Sequence, residues 1–172
     1  MMRADVLERA VTDPGRLGRL YRQHAAGAVR LAFLLTGDPA LAEDLVQDAF
    51  VRLAGRFRDL RNPDAFEWYL RRTVVNLARS HFRHLRVERR YAEAQQGRFS
   101  EPQRDTPDPA EREELWQALL ALPERQRTAI VLRYYEDLSE AQTADVMQCP
   151  VGTVKSLTSR GMDRLRELVT RE

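Results

Sequence analysis

The sequence predicts an all-α protein in which two small helical domains are joined by a flexible linker. Three observations carry that expectation. Apolar residues recur at three- and four-residue steps along most of the chain, with no strand-like alternation and no internal repeat. An Asp or Asn followed by proline, a cap and a first-turn residue, opens three segments at Asp38-Pro39, Asn62-Pro63 and Asp108-Pro109. Between residues 87 and 110 the periodicity vanishes, and Gln, Gly, Ser, Asp and Pro102, Pro107 and Pro109 collect. A chain of 172 residues suits one ordinary domain or two small ones. The expected division is residues 14–88, a linker over 89–108, and residues 109–172.

The elements follow in order. Leu17, Leu20, Tyr21, His24, Ala28, Leu31 and Leu35 share one helical stripe that stops near Gly37. After Asp38-Pro39, a second stripe consists of Ala42, Leu45, Val46, Ala49, Phe50 and Leu53. Arg58–Arg61 is a short connection. A long helix then runs from Asn62-Pro63 to about Leu85, its buried face expected at Phe66, Leu70, Thr73, Val74, Leu77 and His81. Beyond the linker, Leu115, Trp116, Leu119, Leu120 and Leu122 precede Pro123, which opens a helix through Ile130, Val131 and Tyr134. Ser139-Glu140-Ala141-Gln142 has the form of a capping box and starts a short helix to Met147. After Gln148-Cys149-Pro150, a last helix carries Val154, Thr158, Gly161, Leu165 and Leu168.

Composition excludes several classes. With 43% hydrophobic and 31% charged residues, the chain is expected to be globular and soluble. It has no apolar run of membrane-spanning length, and MMRADVLERA lacks the apolar centre of a secretory signal. A cytoplasmic location without membrane partners is the expectation. A single cysteine, Cys149, rules out an internal disulfide and a cysteine-rich metal site. His24, His81 and His84 lack ligand partners at matching spacing, so no metal and no cofactor is expected. No Gly-rich phosphate loop and no Ser/His/acid or Cys/His grouping is visible, which argues against an enzyme.

Charge is distributed unevenly although the net value is only +2. Residues 71–90 carry seven Arg against Glu88, whereas residues 91–114 carry three Arg against seven acids. Two basic segments flanking an acidic one suit two contacts with a polyanion.

Three constellations stand out. Residues 138–166 read as a short helix, a tight turn and a longer helix, the pattern of a helix-turn-helix. With Val154, Thr158, Gly161 and Leu165 inward, Thr153, Lys155, Ser156, Ser159 and Arg160 lie on the other faces, types suited to phosphates and base edges. A helical hairpin with a solvated face fits the periodicity equally. In residues 42–53, AEDLVQDAFVRL, burial of the apolar stripe leaves Glu43, Asp44, Gln47, Asp48 and Val51 on another face. That face is either an interface or helix-stabilising acids near an N-terminus. On the long helix, Trp68, Arg72, Val75, Arg79, Phe82 and Arg86 form a second stripe opposite the core. Rings interleaved with arginines suit single-stranded nucleic acid, and they equally suit packing against another helix.

The segment LPERQRTAIVLRYYEDLSEAQTADVM followed by CPVGTVKS resembles the C-terminal domain of bacterial sigma factors of the extracytoplasmic-function group. AEDLVQDAFVRL and NPDAFEWYLRRTVVNLARSHFRHLRVERR resemble the N-terminal domain of the same group, the likeness extending to its actinobacterial SigE-like members. The resemblance covers about residues 17–86 and 109–168, and it implies a sigma region-2 helical bundle followed by a region-4 helix-turn-helix. It implies binding to RNA polymerase core, at the largest subunit's coiled coil through Asp44, Gln47, Asp48 and Phe50, and at the flap through the C-terminal domain. For the melted −10 element it implies Arg61, Asn62, Asp64, Trp68, Arg71, Arg72, Asn76, Arg79 and Arg83, with a base flipped into the loop 58–64. For the −35 duplex it implies Val151, Gly152, Thr153, Lys155, Ser156, Ser159 and Arg160. An anti-sigma factor is a further candidate partner. By the same analogy the acidic linker threads the RNA exit region. The chain departs from the family at Gln148, often Gly, where a positive φ would strain the turn, and at Leu157, often Arg, where a phosphate contact would be lost.

Two rivals remain at this level. A stand-alone helix-turn-helix regulator explains residues 109–172 but leaves the other two constellations without a task. A helical adaptor binding a partner through residues 42–53 would bind neither promoter nor open complex.

Overall fold

The computed structural model describes residues 14–56, 64–95 and 110–169. Among them every regular element is helical: α1 (Pro14–Thr36), α2 (Pro39–Arg56), α3 (Asp64–Gln95), α4 (Ala110–Leu120), α5 (Glu124–Ile130), a π-helical turn (Val131–Tyr135), α6 (Glu140–Met147) and α7 (Val151–Val169).

Local chemistry sets the breaks. Thr36 Oγ1 donates to Ala32 O at 2.8 Å, and Gly37, at φ 71°, lets its own amide close on Phe33 O and end α1. Asp38 Oδ1 then accepts from the Leu41 amide at 3.1 Å, so the predicted cap starts α2. The capping box also forms: Gln142 N donates to Ser139 Oγ at 3.1 Å, and Ser139 N to Gln142 Oε1 at 2.8 Å. α6 stops at Gln148, which sits in the left-handed region at φ 53° and ψ 53°. The turn therefore does require the positive φ that glycine meets at least cost. Asn62, Pro63 and the Asp108-Pro109 start lie outside the described residues.

α1, α2 and α3 pack on one another around Leu31, Leu35, Val46, Ala49, Phe50, Phe66, Leu70 and Val74, all buried. Phe50 and Phe66 meet at 5.6 Å between ring centres. α4, α5 and α6 pack around α7 with Leu122, Ala129, Val146 and Val154 inside. Gly161 of α7 permits this approach, because a Cβ there would lie 2.8 Å from Ile130 Cδ1 and 3.2 Å from Gln126 Cβ. The two groups are not separate in space. α3 touches α5 and α6, α1 touches α5 and the π turn, and buried apolar residues run as one cluster from Leu20 to Leu157.

Four expectations need correction. α3 runs to Gln95 rather than to about Leu85, because the Arg, Glu, Ala and Gln of RVERRYAEAQ are good helix formers without an apolar stripe. Val75, expected on the outer stripe of α3, is 4% exposed, because the C-terminal helices cover that side. Leu157 is buried with the core, so its position is a packing site and not a place for a phosphate-binding charge. Tyr21 is 44% exposed and lies over Phe50 rather than inside the bundle.

Replacing Gly161 with Ala should lower the unfolding free energy by about 1–2 kcal/mol, since overpacking outweighs alanine's better helix propensity. An unchanged or raised urea midpoint would show that α5 and α7 have room to spare.

Candidate functional site

Three surfaces of different chemistry emerge. On α2, Glu43, Asp44, Gln47, Asp48 and Val51 are all exposed, a continuous acidic face with one apolar residue at 48% exposure. The stripe Ala42, Leu45, Val46, Ala49 and Leu53 holds the other side against the bundle. Phe50, expected to share the outer face, is instead 5% exposed between Tyr21 and Phe66. It orients the helix and presents no ring to a partner. Tyr21 takes that place at the surface, and no periodicity argument singled it out, because it falls on the apolar stripe of α1.

The second surface is the arginine-rich side of α3. Arg71 Nε donates to Glu136 at 2.6 Å and Arg71 Nη2 to Glu67 at 3.1 Å, while Arg72 reaches Asp145 at 3.5 Å. Arg79 donates to Met147 O and to Gln148 Oε1, each at 3.2 Å. Arg86 lies 3.2 Å from Glu124, and the Arg127 guanidinium sits 5.5 Å from the centre of the Phe82 ring. Trp68 is half-buried against the core, as packing would have it, and Arg83 is exposed. The aromatic and basic stripe therefore faces the C-terminal helices.

Beside it, a groove of about 710 Å³ is lined by Arg52, Thr73, Asn76, Arg79, Ser80, Arg83 and Arg86, with Leu53 and Leu77 at its floor. Asn76 Oδ1 is buried there without a hydrogen-bond partner. Four guanidinium groups with hydroxyl and amide partners make a surface suited to phosphate oxygens. Arg52 and Ser80 belong to this groove and were missed in the sequence. Arg52 closes the AEDLVQDAFVRL stretch, and only the crossing of α2 over α3 brings it to the other arginines. Arg61, Asn62 and the side chain of Asp64 lie outside the described residues.

The third surface is the start of α7. Val151, Gly152, Lys155, Ser159 and Arg160 are exposed, while Thr153 and Ser156 are half-buried. Nothing lies within 4 Å of where a Gly152 Cβ would be, so the backbone there is open to close approach. Ser156 Oγ donates to Thr153 O at 3.1 Å, and Arg160 donates to Ser156 O and Oγ, each at 3.2 Å. These bonds hold Arg160 along the helix, with its charge toward solvent. α6 and α7 form the predicted helix-turn-helix. Near it the π turn leaves Tyr134 and Tyr135 exposed, a feature the expected continuous α-helix concealed.

Among the described residues no group of three or more His, Cys, Asp or Glu stands together as a metal site, and no helix is long and apolar enough to cross a membrane. Cys149 is half-buried beside the turn.

Glu124 has a carboxyl pushed above its usual range, chiefly by burial, with Arg86, Arg127, Arg79 and Arg125 pulling the other way. Its Oε2 has no hydrogen-bond partner despite the nearby Arg86, so the charge contact does not offset the lost hydration. A raised native value means the folded state holds this proton more tightly than the unfolded chain. Its stabilising contribution is complete below the ordinary carboxylate value and is lost as pH rises through the native one. Glu124→Gln should therefore gain on the parent protein as pH rises from about 4 to 7, read from urea midpoints. A constant difference across that range would show that burial does not govern this carboxyl.

Residues 20–88 match the family model described as sigma-70 region 2, and residues 112–165 match the one described as sigma-70, region 4. The chain is 35% identical over 147 residues to the RNA polymerase sigma-E factor of Streptomyces coelicolor, covering 84% of this chain and 81% of that protein. It is 34% identical to the ECF RNA polymerase sigma factor SigE of Mycolicibacterium smegmatis, over 88% of this chain and 61% of that one. Among solved structures, the sigma factor RpoE in complex with the anti-sigma factor NepR, from Bartonella quintana, superposes with a TM-score of 0.69 at 24% identity, covering 90% of this chain and 97% of that chain. CnrH in complex with the cytosolic domain of CnrY gives a TM-score of 0.63 at 22% identity, covering 97% and 96%. At these identities the structural likeness speaks for the fold.

Proposed function

The chain belongs to the bacterial RNA polymerase sigma factors, in their extracytoplasmic-function group, and on that premise we propose how its surfaces divide the work of promoter-specific transcription initiation. Members of this family are initiation factors and not catalysts; the chain itself is assigned no catalytic step. Residues 14–88 act as the region-2 domain, residues 89–108, the first seven of which extend α3, as the connection, and residues 109–172 as the region-4 domain. The location is the cytoplasm, where core polymerase and promoter are found.

The acidic face of α2 is the dock for the coiled coil of the polymerase's largest subunit. Asp44, Gln47 and Asp48 make the contact, with Val51 and Tyr21 as its apolar margin and Phe50 beneath as support. The exposed Tyr134 and Tyr135 belong to the surface offered to the flap. The arginine side of α3 and its groove hold the melted −10 strand: Arg71, Arg72, Arg79, Arg83 and Arg52 on phosphates, Asn76 and Trp68 nearer the bases. In the preceding loop, Arg61, Asn62 and Asp64 are the candidates for base capture. On α7, Val151, Gly152, Thr153, Lys155, Ser156, Ser159 and Arg160 read and grip the −35 duplex. The solved structure of RpoE with the anti-sigma factor NepR makes such a protein a candidate partner here as well.

One observation carries the division: an acidic face and two basic ones occur on a single chain, and the acidic face is exposed. A duplex-binding regulator has no use for the first, and an adaptor has none for the others.

Run-off transcription with purified core polymerase tests the reading. Asp48→Arg should weaken core binding roughly ten-fold or more, about 1.4 kcal/mol, while its exposed position keeps thermal stability nearly unchanged. Lys155→Ala with Arg160→Ala should leave core binding intact, weaken promoter binding by the holoenzyme and flatten its salt dependence. Wild-type core affinity in the Asp48 variant would remove α2 from the interface.

A further inference from the structure

The groove beside the seam, where α3 meets the C-terminal helices, changes character along its length. On α3 its lining runs Thr73, Asn76, Ser80 and Arg83, with Arg79 and Arg86 beside them and Arg52 contributed by α2. At the Thr73 end the polar groups are acceptors. Thr73 Oγ1 spends its proton on Tyr69 O at 2.7 Å, which leaves only lone pairs. Asn76 Oδ1 is buried without a partner, a state that costs free energy until a donor arrives. Toward the other end stand guanidinium groups, and no carboxylate is among the lining residues. Arg52 and Arg83 are exposed and have no acidic partner among the described residues.

A ligand that suits both ends has donors on an apolar body at one end and several negative charges at the other. Inorganic polyphosphate fails the first requirement, because its oxygens would meet the lone pairs of Thr73 and Asn76. Arg79 and Arg86 are about two helical turns apart, on the order of 10 Å, so a single phosphate cannot reach both. A nucleic-acid strand carries one phosphate for each base. Here four arginines share a groove with one unpaired acceptor, a ratio met by a chain of phosphates on a single nucleoside. Leu53 and Leu77 give the floor a surface for a flat ring, and about 710 Å³ falls within the range of small-molecule sites.

From this polarity we propose that the groove is a binding site for a free nucleoside polyphosphate. The phosphates lie on Arg52, Arg83 and the two flanking arginines, the ring rests on Leu53 and Leu77, and its amino group donates to Asn76 Oδ1. Arg79 and Arg86 keep their contacts with Gln148 and Glu124, because a guanidinium has five N–H donors and these contacts use only part of them. A groove lined by one sign of charge also concentrates anions before they bind. The site does not depend on the functional reading above. One consequence does: a melted strand laid on the same arginines and the nucleotide exclude each other.

The experiment uses the full-length chain in magnesium-free buffer and isothermal titration calorimetry. ATP is the probe, with inorganic tripolyphosphate and adenosine as its two halves. ATP should bind at least about five-fold more tightly than tripolyphosphate, which carries at least as much charge, and adenosine should show no binding. Arg52→Ala with Arg83→Ala should weaken ATP binding at least about ten-fold. Arg22→Ala with Arg164→Ala makes the same charge change at exposed positions outside the groove, and should alter ATP affinity less than about two-fold. Asn76→Ala should bring ATP down to the tripolyphosphate level and leave tripolyphosphate itself unchanged, a difference that misfolding would not produce. ATP no tighter than tripolyphosphate, or equal losses in the groove and control variants, overturns the proposal and leaves a general anion surface. ATP should also displace a fluorescein-labelled single strand of about 15 nucleotides from the wild type, read by anisotropy. Failure there with ATP binding intact overturns the strand's place in the groove, and the nucleotide site stands.

Discussion

Burial of α3 on two sides is the constraint on which the rest of the structure depends. One edge, Phe66, Leu70, Val74 and Leu77, fills the bundle made with α1 and α2. The adjoining edge, with Val75 and Ala78, is closed by α5 and α6. A helix in that position cannot present all its arginines to solvent. Those beside the second edge must find acceptors in the C-terminal helices or carry the cost of buried, unpaired charge. Glu136, Asp145, the Met147 carbonyl and Gln148 supply those acceptors.

The same constraint accounts for Gln148. A left-handed residue with a side chain costs about 1 kcal/mol relative to glycine. Here the side chain that makes the turn costly also accepts a hydrogen bond from Arg79 at 3.2 Å. The departure from the family's usual glycine thus has a structural counterpart across the seam, and the helix-turn-helix geometry is kept.

Much of the site was legible because it depends on which residues share a helical face. The exposure of Glu43, Asp44, Gln47 and Asp48 follows from the apolar stripe of α2, and that of Lys155, Ser159 and Arg160 from the stripe of α7. The failures are equally specific. Phe50 and Tyr21 exchange places because the two rings meet, tilted, between α1 and α2, and an apolar stripe does not record which ring lies outermost. Leu157 sits at the margin of its stripe, where only the packing of α7 decides between core and solvent. Arg52 joins the basic groove through the crossing of two helices distant in sequence.

The sequence by itself determined the helices, most of their starts and stops, the family, and the charge carried by each face. The helices, their ends and the charge of each face follow from local periodicity, capping and composition, and the family from the resemblance of whole segments; neither needs knowledge of what lies opposite. Only the tertiary structure decided that the aromatic and basic face of α3 meets the C-terminal helices, that Arg71 pairs with Glu136, and that Val75 is buried. Each is a pairing between residues tens of positions apart, and no periodicity within one helix specifies its partner.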